Sequence, residues 1–139
     1  MAVPIDDFPS RPHLILRGLT RRCAWCGDGR AFFVGWFKRQ DHCVNCGHGY
    51  RRGDAAFELG AITANIILTF GTILVTILVL VIATAPDVPV LALTLIVAAL
   101  GLVGPALFYP VSFTLWQAID LLMRRPTPSE LAGHGDATL

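Results

Sequence analysis

Charge is scarce in this sequence: only 15% of its 139 residues are Asp, Glu, Lys or Arg, and none between Gly53 and Met123 is basic. With 54% hydrophobic residues, the chain is more apolar than a soluble domain of its size. Residues 1–10 also lack the positive region and apolar run of a secretory signal. We therefore expect a membrane protein whose hydrophobic segments belong to the mature chain.

Catalytic patterns are missing as well. The sequence shows no nucleophile next to a base, no carboxylate pair in a recognisable motif and no glycine loop of the phosphate-binding type. The interpretation is that the chain is not an enzyme.

Two long uncharged stretches are present instead, Leu59–Pro86 and Val88–Ile119, separated by Asp87. Each exceeds the ~20 apolar residues that cross a bilayer, and in lipid an isolated pair of segments satisfies its backbone only as helices. Pro86 and Pro89 favour a tight connection. The pattern predicts an antiparallel hairpin of two transmembrane helices at about 57–85 and 88–123.

The distribution of basic residues predicts the orientation. Nine of the eleven Lys and Arg lie between Arg11 and Arg52, and the other two are Arg124 and Arg125. Basic segments stay on the cytosolic side of membrane helices. We expect both termini in the cytosol.

Four cysteines form two CxxCG knuckles, Cys23–Gly27 and Cys43–Gly47, with sixteen residues between the pairs. This spacing is typical of a four-thiolate metal site, and stable disulfides are rare in a reducing cytosol. Cys23, Cys26, Cys43 and Cys46 are therefore the predicted ligands of zinc, with iron in a rubredoxin-like site as the alternative.

The predicted domain organisation follows from these features. Residues 1–12 are expected to be disordered, 13–53 to form a small β zinc ribbon, 54–125 to hold the helical hairpin, and 126–139 to be a disordered tail. The aromatic run 31–37 suits a short strand or hairpin within the ribbon.

Polar residues near the ends of the spans are the remaining candidates for function, because they are costly in a membrane. In an antiparallel hairpin centred near Asp87, several of them lie at similar depths along the axis of the hairpin. The predicted polar cluster at the cytosolic mouth of the hairpin consists of Asp54, Glu58, Asn65, Tyr109, Gln117 and Asp120.

The order of these motifs resembles a family of bacterial inner-membrane proteins described as a domain of unknown function, number 983. The likeness covers about residues 11–125. It rests on Arg17-Gly18-Leu19, the two knuckles, Leu59-Gly60-Ala61 with Asn65, Phe108-Tyr109-Pro110, Leu115-Trp116 and Ala118-Ile119-Asp120. The resemblance implies a zinc-ribbon membrane protein and an accessory role in respiratory oxidase complexes.

Three functions remain open from the sequence. The first is a non-enzymatic accessory or assembly protein that contacts the bilayer and a membrane-protein partner. The second is electron transfer through a rubredoxin-like iron site. The third is binding of nucleic acid by the basic ribbon.

Overall fold

The computed structural model describes residues 9–29, 32–50, 56–125 and 127. Its helices are α1 (Arg11–Leu19), α2 (Ala56–Thr84) and α3 (Val90–Met123). The predicted disordered ends, residues 1–8 and nearly all of the tail, lie outside the described residues.

Helices α2 and α3 form an antiparallel pair of 29 and 34 residues. They span about 44 Å and 51 Å at ~1.5 Å per residue, which is enough to cross a membrane. Only 6% of the most apolar window of each is buried within the protein. A soluble helical hairpin would bury this apolar surface, so the exposed side chains indicate contact with lipid.

Small residues let the two helices approach closely. A Cβ on Gly60 would clash with the ring of Trp116, and one on Gly104 would lie 3.1 Å from Cγ2 of Thr69. The Asn65 side-chain amide donates to the carbonyl oxygen of Pro105 at 2.9 Å. These contacts set the register of the hairpin.

Helix α1 is an element that the sequence did not predict, since residues 1–12 were expected to be disordered and residues 13–53 to form the ribbon. Ser10 occupies the N-cap position and a proline stands in the first turn, which is the usual start signal of a helix. Leu14 and Gly18 are its buried residues, and α1 packs against α3.

The four-cysteine segment, here called the cysteine module, comprises described residues 21–29 and 32–50. The expected small β ribbon is not seen: this part of the chain contains two isolated antiparallel bridges, Phe33 with Arg39 and His42 with Gly49, and no strand. Loop hydrogen bonds and packing against α3 hold the module together.

Candidate metal centre

The two knuckles have the same backbone hydrogen bonds. In the first, Gly27 donates to the Cys23 carbonyl at 2.8 Å and Cys23 donates to the Asp28 carbonyl at 2.8 Å. In the second, Gly47 donates to Cys43 and Cys43 donates to His48, both at 2.9 Å. Each knuckle therefore turns its pair of thiols toward the same point.

The glycine after each second cysteine has a structural reason. Gly27 has φ +81° and Gly47 has φ +72°. Residues with a side chain rarely adopt this left-handed conformation, so glycine closes each turn without strain.

The four sulfur atoms lie within 4.8 Å of one another. Sγ of Cys23 is 3.9 Å from Sγ of Cys46, and Sγ of Cys26 is 3.6 Å from Sγ of Cys43. A tetrahedron with zinc–sulfur bonds of ~2.3 Å has edges of about 3.8 Å. The four thiols are free rather than paired in disulfides, and their spacing fits a tetrahedral metal ion.

Hydrogen bonds among the four thiols divide them into two pairs: they raise the pKa of Cys23, and with burial that of Cys46, and they lower the pKa of Cys26 and Cys43. Contact with the Cys23 thiol lowers the pKa of Cys26 to about 6 and likewise lowers the pKa of Cys43. A metal binds deprotonated sulfur, so its binding releases the thiol protons. The lowered pKa values of Cys26 and Cys43 favour the loss of two of these protons.

Burial protects one side of the site. Cys23 and Cys43 are fully buried, whereas Cys26 and Cys46 are partly exposed. The module's core contains Trp25, Phe32 and Tyr50, and the last two rings have centroids 4.0 Å apart. Phe113 of α3 adjoins Phe32, which joins this core to the helices.

Helix α1 anchors the first knuckle. The Arg17 guanidinium donates to the carbonyl oxygens of Ala24 and Trp25 at 3.3 and 2.9 Å. These two carbonyls belong to the residues between Cys23 and Cys26, so Arg17 orients the loop that presents both thiols. The sequence marks Arg17 only through the family motif, because the fold is what brings the two carbonyl oxygens within reach of its guanidinium.

Gln117 lies against the cysteines instead of at the mouth of the hairpin. Its Oε1 accepts a weak hydrogen bond from the Ala24 amide at 3.5 Å, and its Nε2 donates to Sγ of Cys23 at 3.9 Å. Gln117 is 1% exposed. The side chain thus connects helix α3 directly to a predicted metal ligand.

Gln117→Met is expected to weaken metal binding by about 10- to 100-fold, the usual effect of removing a group that orients a metal ligand. Methionine keeps the side-chain length and leaves the Cys23 sulfur without its amide donor. Competition with a zinc chelator measures the affinity. Leu122→Met, five residues further along α3, is the control, and equal affinities of the two variants would contradict the role assigned to Gln117.

The Trp36 side chain connects the module to α3 one helical turn before Pro110. Pro110 has no N–H, so it cannot make the usual helical hydrogen bond to the carbonyl of Ala106. The Trp36 indole Nε1 donates to that carbonyl oxygen at 2.8 Å. The guanidinium of Arg21 lies over the Trp36 ring, 4.7 Å from its centre, in a cation–π contact.

Trp36→Phe is expected to destabilise the attachment of the module by about 1 kcal/mol, because the Ala106 carbonyl loses its donor. The backbone N–H that Pro110→Ala restores can replace that donor. The cost of Trp36→Phe should therefore fall in the Pro110→Ala background, as measured by urea unfolding of the four proteins in detergent. Additive effects would show that the indole does not replace the donor that Pro110 lacks.

The predicted polar cluster divides into separate sites. Glu58 pairs with Arg39 at 3.2 Å, Asn65 bonds to Pro105, and the Tyr109 ring packs 5.0 Å from that of Phe113. Glu58, Asn65 and Tyr109 line one cavity, whereas Asp120 is not among the residues that line it. Gln117 faces the cysteines. Asp54 lies outside the described residues. Arg39, which completes the Glu58 pair, was missed because nothing local marks it among the basic residues.

Comparison with known proteins gives one result. The model of a family described as "Protein of unknown function (DUF983)" matches residues 33–119, more than half of the chain. The matched segment contains the second knuckle, α2 and most of α3, and the resemblance inferred from the motifs is confirmed. No curated protein and no solved structure gives a significant match.

Proposed function

Since the chain belongs to the DUF983 family of proteins of unknown function, we propose that it is a non-enzymatic accessory protein of the bacterial inner membrane. In this proposal, the cysteine module is a zinc-stabilised docking platform on a transmembrane hairpin. Its partner is a larger membrane-protein complex, and the family resemblance suggests a respiratory oxidase.

Zinc is the proposed metal because four thiolates complete its tetrahedral shell and leave no position open for substrate. This arrangement supports a structural role. Zinc also needs no redox partner, unlike the iron of a rubredoxin-like site.

The proposed orientation places the module and both termini in the cytosol. The basic residues of the module and Arg124 and Arg125 at the end of α3 lie on the same side of the hairpin, whereas the connection around Asp87 carries no Lys or Arg. This asymmetry supports the positive-inside orientation. It also keeps the thiols in a reducing compartment.

The observation that carries the docking proposal is the exposure of apolar side chains on a firmly attached module. Val44, between the cysteines of the second knuckle, is 74% exposed, and Val34 and Phe37 are each 63% exposed. Hydrogen bonds from Arg17, Trp36 and Gln117 hold the module against its neighbours. A preorganised apolar surface loses little entropy on binding, which favours a protein partner.

The experiment that tests this proposal is affinity purification of the full chain in mild detergent at native expression level. We expect membrane proteins to copurify, Val44→Asp to remove them, and metal content to remain the same. Gly29→Asp is the matched control, since it adds a carboxylate where a Cβ would meet no atom of the described part of the chain within 4 Å. Recovery of the wild-type protein alone, or equal recovery of partners with Val44→Asp, would refute docking through the second knuckle.

A further inference from the structure

A cavity of about 510 Å³ opens between α2, α3 and the cysteine module. On α2 its lining runs from Glu58 to Ile73, about 22 Å at ~1.5 Å per residue. On α3 the lining residues recur at every fourth position. The residues of the α3 wall are Gly101, Pro105, Tyr109 and Phe113.

The two ends of this cavity differ in chemistry. At the end near the module lie Arg39 and Glu58, whose side chains are 28% and 38% exposed. The opposite end is lined by Phe70, Ile73 and Gly101. An elongated cavity with a charged end and an apolar end, on a surface that faces lipid, is complementary to an amphiphilic molecule.

The charged end carries both signs. Arg39 and Glu58 are 3.2 Å apart, and the Arg39 guanidinium also lies 4.5 Å from the centre of the Phe113 ring, which fixes its position. The Glu58 carboxylate would repel a purely anionic headgroup, and the Arg39 guanidinium would repel a purely cationic one. A zwitterionic headgroup can place its phosphate near Arg39 and its ammonium near Glu58.

We propose that this cavity binds one zwitterionic phospholipid of the phosphatidylethanolamine type, with its headgroup at Arg39 and Glu58 and an acyl chain along the groove that ends at Ile73. Two polar side chains of the groove floor are already engaged, because Asn65 donates to the Pro105 carbonyl and Thr69 donates to Oδ1 of Asn65. These two side chains can therefore lie beneath an acyl chain and keep their hydrogen bonds. The bound lipid would touch the module and both helices at once.

Gly101 offers a direct test. A Cβ at this position would meet no atom of the described residues within 4 Å, so the side chain of Gly101→Leu has room to begin there and extends into the cavity that Gly101 lines. Gly71 of α2 is equally open and does not line the cavity. Gly71→Leu is therefore the matched control for a leucine placed in a transmembrane helix.

The measurement is native mass spectrometry of the full chain in detergent, after incubation with phosphatidylethanolamine or phosphatidylglycerol. We expect the wild type and Gly71→Leu to retain one phosphatidylethanolamine per chain, and Gly101→Leu to retain it about tenfold less. Equal retention by Gly101→Leu and the wild type would overturn the assignment of the cavity. Equal retention of phosphatidylglycerol, or preferential retention of a neutral amphiphile such as an isoprenoid quinone, would overturn the assignment of the headgroup.

Glu58→Gln keeps the test decisive even if Gly101→Leu fails to accumulate, because it removes the ammonium partner with little change in volume. We expect the preference for phosphatidylethanolamine over phosphatidylglycerol to fall about tenfold or to reverse. An unchanged preference would refute the proposed headgroup contacts. Both variants should retain one metal per chain, which separates lipid binding from the proposed zinc platform.

Discussion

Cys43→Ser is expected to abolish stoichiometric metal binding and to unfold the cysteine module, while α2 and α3 remain in the membrane. The module contains no strand among its described residues, and its two knuckles are far apart in the sequence. Metal ligation is therefore the strongest link between them. Structural zinc contributes on the order of 10–16 kcal/mol to the folding of small zinc domains, far more than the module's small core can supply.

Elemental analysis of the purified full chain measures the first part of this result, and limited proteolysis measures the second. Wild-type protein should carry one zinc per chain and resist cleavage within the module, and a chelator should reproduce the proteolytic sensitivity of Cys43→Ser. Val44→Ala, at the adjacent exposed position, is the control and should retain both metal and resistance. One metal per chain in Cys43→Ser would contradict four-thiolate ligation, and stoichiometric iron in the wild type would replace zinc with the rubredoxin-like alternative.

Gly18→Val should detach α1 from α3 and loosen the first knuckle. A Cβ on Gly18 would lie 2.9 Å from the carbonyl oxygen of Thr114, 3.0 Å from Cα of Leu115 and 3.0 Å from Cβ of Ala118. Two of these are backbone atoms, which cannot rotate away. Overpacking should lower the free energy of unfolding by about 1–3 kcal/mol. The loss should be larger if the hydrogen bond from Thr114 to the Gly18 carbonyl also breaks.

Urea unfolding in detergent, followed by tryptophan fluorescence, measures this cost. Gly71→Val is the matched helical control, because a side chain there would meet no other atom within 4 Å. Valine is a better helix former than glycine by a few tenths of a kcal/mol, so the control should be neutral or slightly stabilising. If Gly18→Val unfolds at the wild-type urea concentration, α1 does not depend on this contact.

Several elements could be read from local sequence because their physical cause is local. The absence of charge over Leu59–Pro86 and Val88–Ile119 indicates helices long enough to cross a membrane, whatever surrounds them. The CxxCG spacing brings two thiols to one point through turns within each knuckle. The helical start signal at Ser10 and Pro12 was equally available, and α1 was missed because the segment is short and mildly polar.

The small β ribbon was expected from the aromatic run 31–37, which suits a strand by propensity. The structure instead has one bridge from Phe33 to Arg39, with Val34 donating to the Lys38 carbonyl across a tight turn. Contacts with α3 compete with strand pairing here. Phe33 and Phe37 pack against Tyr109, and Trp36 bonds to Ala106, so tertiary packing overrides the propensity of these residues.

The sequence by itself determined two helices long and apolar enough to cross a membrane, the four-cysteine cluster and the separation of basic from apolar segments, because composition and short spacings are enough to specify each of them. Only the tertiary structure decided that Gln117 faces Cys23, that Trp36 replaces the donor lost at Pro110, and that Arg39 pairs with Glu58 above a cavity. These contacts join residues 19 to 94 positions apart. Their partners depend on how the module docks on the helices, and no local pattern in the chain encodes that geometry.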